Sequence, residues 1–128
     1  MIDHTGVVVS DFDKSKQFYR AALRPLGFEL VVEFPAAVTK STDVGGFGEP
    51  GKPEFWINRG TPNKPSIHIA FRANDRATVD AFYKAAIAAG GADNGAPGIR
   101  AHYHPNYYGA FVHDPDGHNI EVVCHNPQ

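Results

Sequence analysis

The chain has 128 residues, 42% of them hydrophobic and 12% aromatic, which is enough apolar surface to close one core and too much for a disordered chain. Lys and Arg number 12 against 14 Asp and Glu, a formal net charge of −2, so there is no basic field to hold nucleic acid or an anionic membrane. A single domain with neither kind of partner is expected.

The opening Met1-Ile2-Asp3-His4 carries an acid where a secretory signal would carry basic residues before ~7–15 apolar ones, and a cytoplasmic location is expected from it. Residues 4–10, HTGVVVS, form a β-rich run that ends at Ser10-Asp11, a pair able to cap a helix. Phe12, Ser15, Phe18, Tyr19, Ala22 and Leu23 then keep a helical period until Pro25 and Gly27 stop it. Short strands are predicted at 28–33, 37–41 and 54–58, with Gly45 to Pro53 as a turn region.

The pattern then begins again. Residues 66–72, SIHIAFR, run into Asn74-Asp75, and Val79, Phe82, Tyr83, Ala86 and Ile87 mark a second helix that stops at Gly90-Gly91. After a turn region at Asn94 to Gly98, strands are predicted at 107–113 and 118–124, joined by Asp114-Pro115-Asp116-Gly117. Cys124, beside Val122 and Val123, reads as an inert buried strand thiol.

Sliding the chain on itself by 64 residues aligns His4 with His68, Asp11 with Asp75, Phe18-Tyr19 with Phe82-Tyr83, Ala21-Ala22 with Ala85-Ala86, and Gly27 with Gly91. Chance would supply about two such identities over this stretch. The chain therefore reads as two β-α-β-β-β modules, about 1–62 and 63–128, that pair with each other in an α+β fold.

Alternation along a strand puts His4 on a face with Gly6, Val8 and Ser10, and His68 on a face with Ser66, Ala70 and Arg72. Small neighbours leave room beside each imidazole. With the four-residue turn as closure, 113 opposes 118, Ala110 opposes Glu121, and Tyr108 opposes Val123 on the Glu121 side. A carboxylate inside a Val/Ile strand needs a cation, a donor or solvent. His4, His68 and Glu121 thus suit a divalent metal with open positions, and Zn, Mn, Fe, Ni and Mg all accept such ligands. Taken singly, each reads more readily as a satisfied structural histidine or an edge carboxylate.

The segment His102 to Tyr108 is the other concentration of chemistry. His104 and Tyr108 are candidates for acid and hydrogen-bond donor beside an open metal, and Tyr103 and Tyr107 for pocket lining. The alternative is that these rings pack on the sheet rim. Arg72 could pair with an anionic substrate or remain solvated.

The doubled module, His4, His68 and the DPDGHNIE run ending in Glu121 resemble the glyoxalase, bleomycin-resistance and extradiol-dioxygenase superfamily, the vicinal oxygen chelate fold, over essentially the whole chain. The resemblance implies paired βαβββ modules with curved mixed sheets enclosing a central cavity. It implies His4, His68 and Glu121 as ligands of a divalent metal, in a homodimer that takes His4 from one subunit and the other two from its partner. Aligning Glu49-Pro50 with Asp114-Pro115 puts Trp56 where glyoxalase I offers a fourth Glu or Gln ligand that moves a proton. An indole does neither, so Trp56 is expected to wall the pocket and glyoxalase I activity is disfavoured, although Glu54 and Asn58 share its face. The function implied is a metal-dependent enzyme, dioxygenase, lyase/isomerase or thiol transferase, acting on a small molecule with adjacent oxygens. The alternative is a metal-free binding protein of the bleomycin-resistance type.

Overall fold

The computed structural model describes residues 1–128. Strand β1 (Thr5–Val9) leads into helix α1 (Phe12–Ala22), and β5 (His68–Ala73) leads into α3 (Arg76–Ala88). Each helix starts behind an aspartate whose side chain accepts a backbone N–H of the first turn, Asp11 from Lys14 and Asp75 from Thr78. The two caps stand in the same place in the repeat.

Between them lie β2 (Glu29–Phe34), a single turn of helix α2 (Ala36–Thr39), β3 (Val44–Glu49) and β4 (Lys52–Arg59). After α3 come the two-residue strands β6 (Ala92–Asp93) and β7 (Gly98–Ile99), then β8 (Tyr108–His113) and β9 (Asn119–Cys124). The first sheet runs β1-β4-β3-β2 and the second β5-β9-β8-β6, with β7 beside β8. In each sheet the opening strand pairs parallel with the closing strand of its own module, β1 with β4 and β5 with β9. The result is an α+β fold of two open, mixed sheets.

Alternation sends one face of each sheet inward. Val7, Val9, Phe47, Phe55 and Ile57 from the first sheet meet Ala110, Val112, Ile120 and Val122 from the second in a single core with Phe18 and Tyr19 of α1 and Val79 and Phe82 of α3. Phe55 and Phe71 pack edge to face at 5.5 Å. Cys124 is fully buried in β9. The outer faces carry Gly6 with His4 and Ala70 with His68, all exposed, and no helix of this chain is long and apolar enough to cross a membrane.

The turn between β8 and β9 ties the modules together. The Asp114 carboxylate accepts from the Tyr19 hydroxyl at 2.5 Å and from the backbone N–H of His118 at 2.9 Å, and Asp116 accepts the Ser10 N–H at 3.0 Å. His118, with no exposed surface, accepts the Ile67 N–H at Nδ1 and faces the Val8 carbonyl with Nε2, both at 3.0 Å. Those partners put its proton on Nε2. Burial and the Asp114 carboxylate together push the Tyr19 hydroxyl well above its usual range, so it stays a donor.

The structure corrects two sequence expectations here. The strand expected at 37–41 is α2, because the Asp43 carboxylate accepts the Ala36 N–H at 2.9 Å and Lys40 closes the turn at φ 57°. The turn expected from Gly45 to Pro53 is mostly strand. Its glycines serve packing: a Cβ on Gly46 would lie 3.0 Å from the Trp56 ring, and one on Gly48 would lie 1.9 Å from the Lys52 carbonyl oxygen.

Candidate metal and ligand site

The site begins with strand pairing. Gly6 of β1 lies beside Trp56 of β4, and Ala70 of β5 lies beside Glu121 of β9. Position 6 is equivalent to position 70 under the 64-residue repeat, so Trp56 occupies in the first module the place that Glu121 occupies in the second. His4 and His68 each precede these positions by two residues, on the same faces.

In the second module the side chains converge. His68 Nε2 lies 3.2 Å from Glu121 Oε2, and the other carboxylate oxygen accepts the hydroxyl of Tyr107. Glu121 is only 2% exposed, whereas the His68 side chain is 53% exposed. Burial first, and the Glu121 carboxylate second, raise the Tyr107 phenol far above its usual range, so Tyr107 donates and does not ionise. Phe111, opposite Glu121 in the β8–β9 ladder, sets its ring 6.3 Å from that of His68, and the Arg100 guanidinium lies over the Phe111 ring at 5.4 Å.

That ladder corrects the expected register. His113 opposes Asn119, so Phe111 and not Ala110 faces Glu121, and Tyr108 faces Cys124 instead of Val123. The cause is His118, which belongs to the turn: its carbonyl accepts the Asp114 N–H at 3.0 Å. One residue of slip reverses every side chain of β8. Tyr108 accordingly points to the helix side, where its hydroxyl donates to Asp80 at 2.6 Å and Arg76 covers its ring. It takes no part in the Glu121 cluster, contrary to expectation, and Tyr107 takes that place.

His4 stands apart from the pair. It is exposed, its Nδ1 lies 2.7 Å from the Asp3 carboxylate, and within one chain no three acidic, histidine or cysteine side chains meet as a metal-binding group. His4 and His68 nevertheless border one cleft of about 450 Å³, together with Glu54, Phe28 and Phe71. On its other side His4 shares a cleft of about 410 Å³ with Trp56, Gly6, Thr42 and Asn58. The half-buried indole therefore lies in the same recess as His4.

His104 turns away from Glu121. Its Nδ1 accepts the Asn106 N–H at 3.0 Å, which leaves the proton on Nε2, aimed at His125 Nδ1 at 2.8 Å. Tyr103, 57% exposed, meets His102 at 4.1 Å and Tyr107 at 4.7 Å, its ring tilted against both. Arg72 is exposed on the His68 face and makes no ion pair. Sequence reasoning missed His125, Phe111 and Arg100. The hairpin register held the signal for the first two, since the observed pairing places Phe111 and Tyr107 on the Glu121 face and carries on to His125 just past β9.

Comparison with known proteins adds a family. The family model for the Glyoxalase/Bleomycin resistance protein/Dioxygenase superfamily matches residues 1–122. No curated protein matches the chain. Among solved structures, a glyoxalase/bleomycin resistance protein from Albidiferax ferrireducens is 28% identical with a TM-score of 0.77, covering 99% of each chain. A glyoxalase I mutant from Zea mays superposes with a TM-score of 0.73 at 22% identity, covering 95% of this chain and 46% of that one. The fosfomycin resistance protein FosX from Listeria monocytogenes, complexed with Mn(II) and sulfate, does so with 0.70 at 17% identity, covering 98% and 93%. The last two show likeness of fold.

Proposed function

We propose that this chain, which belongs to the Glyoxalase/Bleomycin resistance protein/Dioxygenase superfamily, is a divalent-metal-dependent enzyme acting on a small molecule with two adjacent oxygens. The observation that carries the reading is the approach of His68 Nε2 to Glu121 Oε2 at 3.2 Å. Two donors each ~2.0–2.2 Å from one ion and near a right angle apart lie about 3 Å from each other, so the pair fits one edge of a coordination shell. A buried carboxylate aimed at an exposed imidazole is also the donor chemistry that Zn, Mn, Fe, Ni and Mg accept.

His68 and Glu121 of one chain would hold the metal together with His4 of a second chain, in a homodimer. When bound, the ion supplies Lewis acidity toward the two substrate oxygens. Tyr107 fixes Glu121 through its hydroxyl and keeps its own proton. Trp56 offers an apolar wall beside His4 and has no proton to exchange with carbon, which disfavours the glyoxalase I reaction and leaves dioxygenase, other lyase or isomerase, and thiol-transferase chemistry. Tyr103 presents a flat exposed ring for ligand stacking, and Arg72 a free cation for an anionic substituent.

A second reading, a metal-free binding protein, draws on the aromatic lining: Trp56 on one sheet, and Tyr103, Tyr107 and His125 on the other. Elemental analysis of protein purified without added metal and without chelator, followed by Mn(II) and Zn(II) titration, separates the two. Stoichiometric metal that is lost in Glu121→Gln supports the enzyme. A metal-free protein that ignores added metal and binds aromatic dyes stoichiometrically supports the binder.

A further inference from the structure

We propose that Tyr107 is a positioning residue that restricts Glu121 to one ligating oxygen and thereby keeps a coordination position open for a co-reactant; the inference rests on the metal reading above. A carboxylate with both oxygens free can chelate an ion bidentately and take two positions. Here the oxygens are divided. Oε2 faces His68 Nε2, while Oε1 accepts the Tyr107 hydroxyl.

The division is built into the fold. Tyr107 immediately precedes β8, two residues before Gly109, and its ring folds back over that glycine on the Glu121 face. A Cβ at Gly109 would lie 3.2 Å from the Tyr107 ring and 3.7 Å from Glu121 Oε1, in the space through which the phenol reaches the carboxylate. The main chain fixes the ring's origin: Arg100 N–H donates to the Tyr107 carbonyl at 2.7 Å, and Tyr107 N–H to that of His104 at 3.2 Å. Three rings brace it, Tyr103 at 4.7 Å, His125 at 5.2 Å and His104 at 5.4 Å. A phenol held on so many sides does not swing off when an ion arrives at Oε2.

The consequence is a count of positions. Two imidazoles and a monodentate carboxylate leave about three sites on a six-coordinate ion, two for adjacent substrate oxygens and one for oxygen, a thiol or water. A bidentate Glu121 would leave about two, enough for the substrate and none for its reaction partner. The placement of Tyr107 thus favours a reaction of two components at the metal.

Tyr107→Phe removes the hydroxyl and keeps the ring. The test loads wild type and variant with Mn(II) and measures water-proton relaxivity per bound ion, with the carboxylate stretches in the infrared as a second readout. Wild type is expected to carry about three exchangeable waters, and Tyr107→Phe about a third less relaxivity, with a narrower splitting of the carboxylate stretches. Equal relaxivity and equal splitting would overturn this inference and leave the metal reading standing. A wild-type protein that takes up no Mn(II), Zn(II) or Fe(II) would overturn both. Circular dichroism checks the fold, and if Tyr107→Phe does not fold, Tyr107→Leu decides by the same criterion.

Discussion

Glu121 illustrates how neighbours set the environment of one side chain. In the middle of β9 and 2% exposed, it has lost nearly all its water, and a phenol and an imidazole replace it. Substituting Glu121→Gln preserves shape and removes the anion. On the proposed reading metal affinity falls on the order of 100-fold by titration calorimetry while the fold is retained, and affinity equal to wild type would remove Glu121 from the ligand set. Trp56, its counterpart in the first module, should behave oppositely. Trp56→Ala leaves metal affinity within about twofold and weakens ligand binding about 10-fold or more through lost contact area. Loss of metal with the fold intact would show that Trp56 shapes the ligand set and does more than wall the recess.

At the scale of elements, the parts set by local chemistry were legible and those set by contact were not. Asp11 and Asp75 announced both helices because a cap is a property of a few consecutive residues. The glycines of β3 announced a turn because nothing local shows that the Trp56 ring and the Lys52 carbonyl need the space. The β8–β9 register slipped by one because His118 is claimed by Ile67 and Val8, 51 and 110 residues away along the chain. The same slip exchanged Tyr107 and Tyr108. Two tests belong here. His118→Ala leaves the Ile67 N–H and the Val8 carbonyl without partners, and at ~1–3 kcal/mol for each buried unsatisfied group the loss in urea unfolding is expected at about 2–6 kcal/mol. For Asp75, the hydrogen bonds to Thr78 hold the carboxyl below its usual range. A depressed folded value contributes stability above the unfolded value and loses it as pH falls through the folded one, so the gap between wild type and Asp75→Asn is expected to close on acidification below about pH 4. A gap independent of pH would mean the cap acts without its charge.

The whole molecule joins two modules over one core shared with both helices, and leaves the opposite sheet faces to carry the candidate ligands, with His4 and His68 on one cleft. One face bears His4 and Trp56, the other His68 and Glu121, and no metal-binding group of three forms within the chain. The repeat that made the histidines visible in the sequence is therefore also what separates them: equivalent strands of two modules carry equivalent residues on different sheets. Completion across a homodimer follows from the proposed reading, and complementation tests it. His4→Ala lacks the histidine in both sites of its dimer, and Glu121→Ala lacks the carboxylate in both. When the two variants are unfolded together and refolded, the mixed dimer pairs the intact His4 of one chain with the intact His68 and Glu121 of the other. Random association makes half the dimers mixed, and each has one intact site of two, so metal binding should return to about one site in four while each variant alone binds none. If ligation were confined to a single chain, every chain in the mixture would still lack a ligand and no binding would return. Recovery to one quarter would place the site between chains, and no recovery, with mixed dimers confirmed by mass, would place it within one.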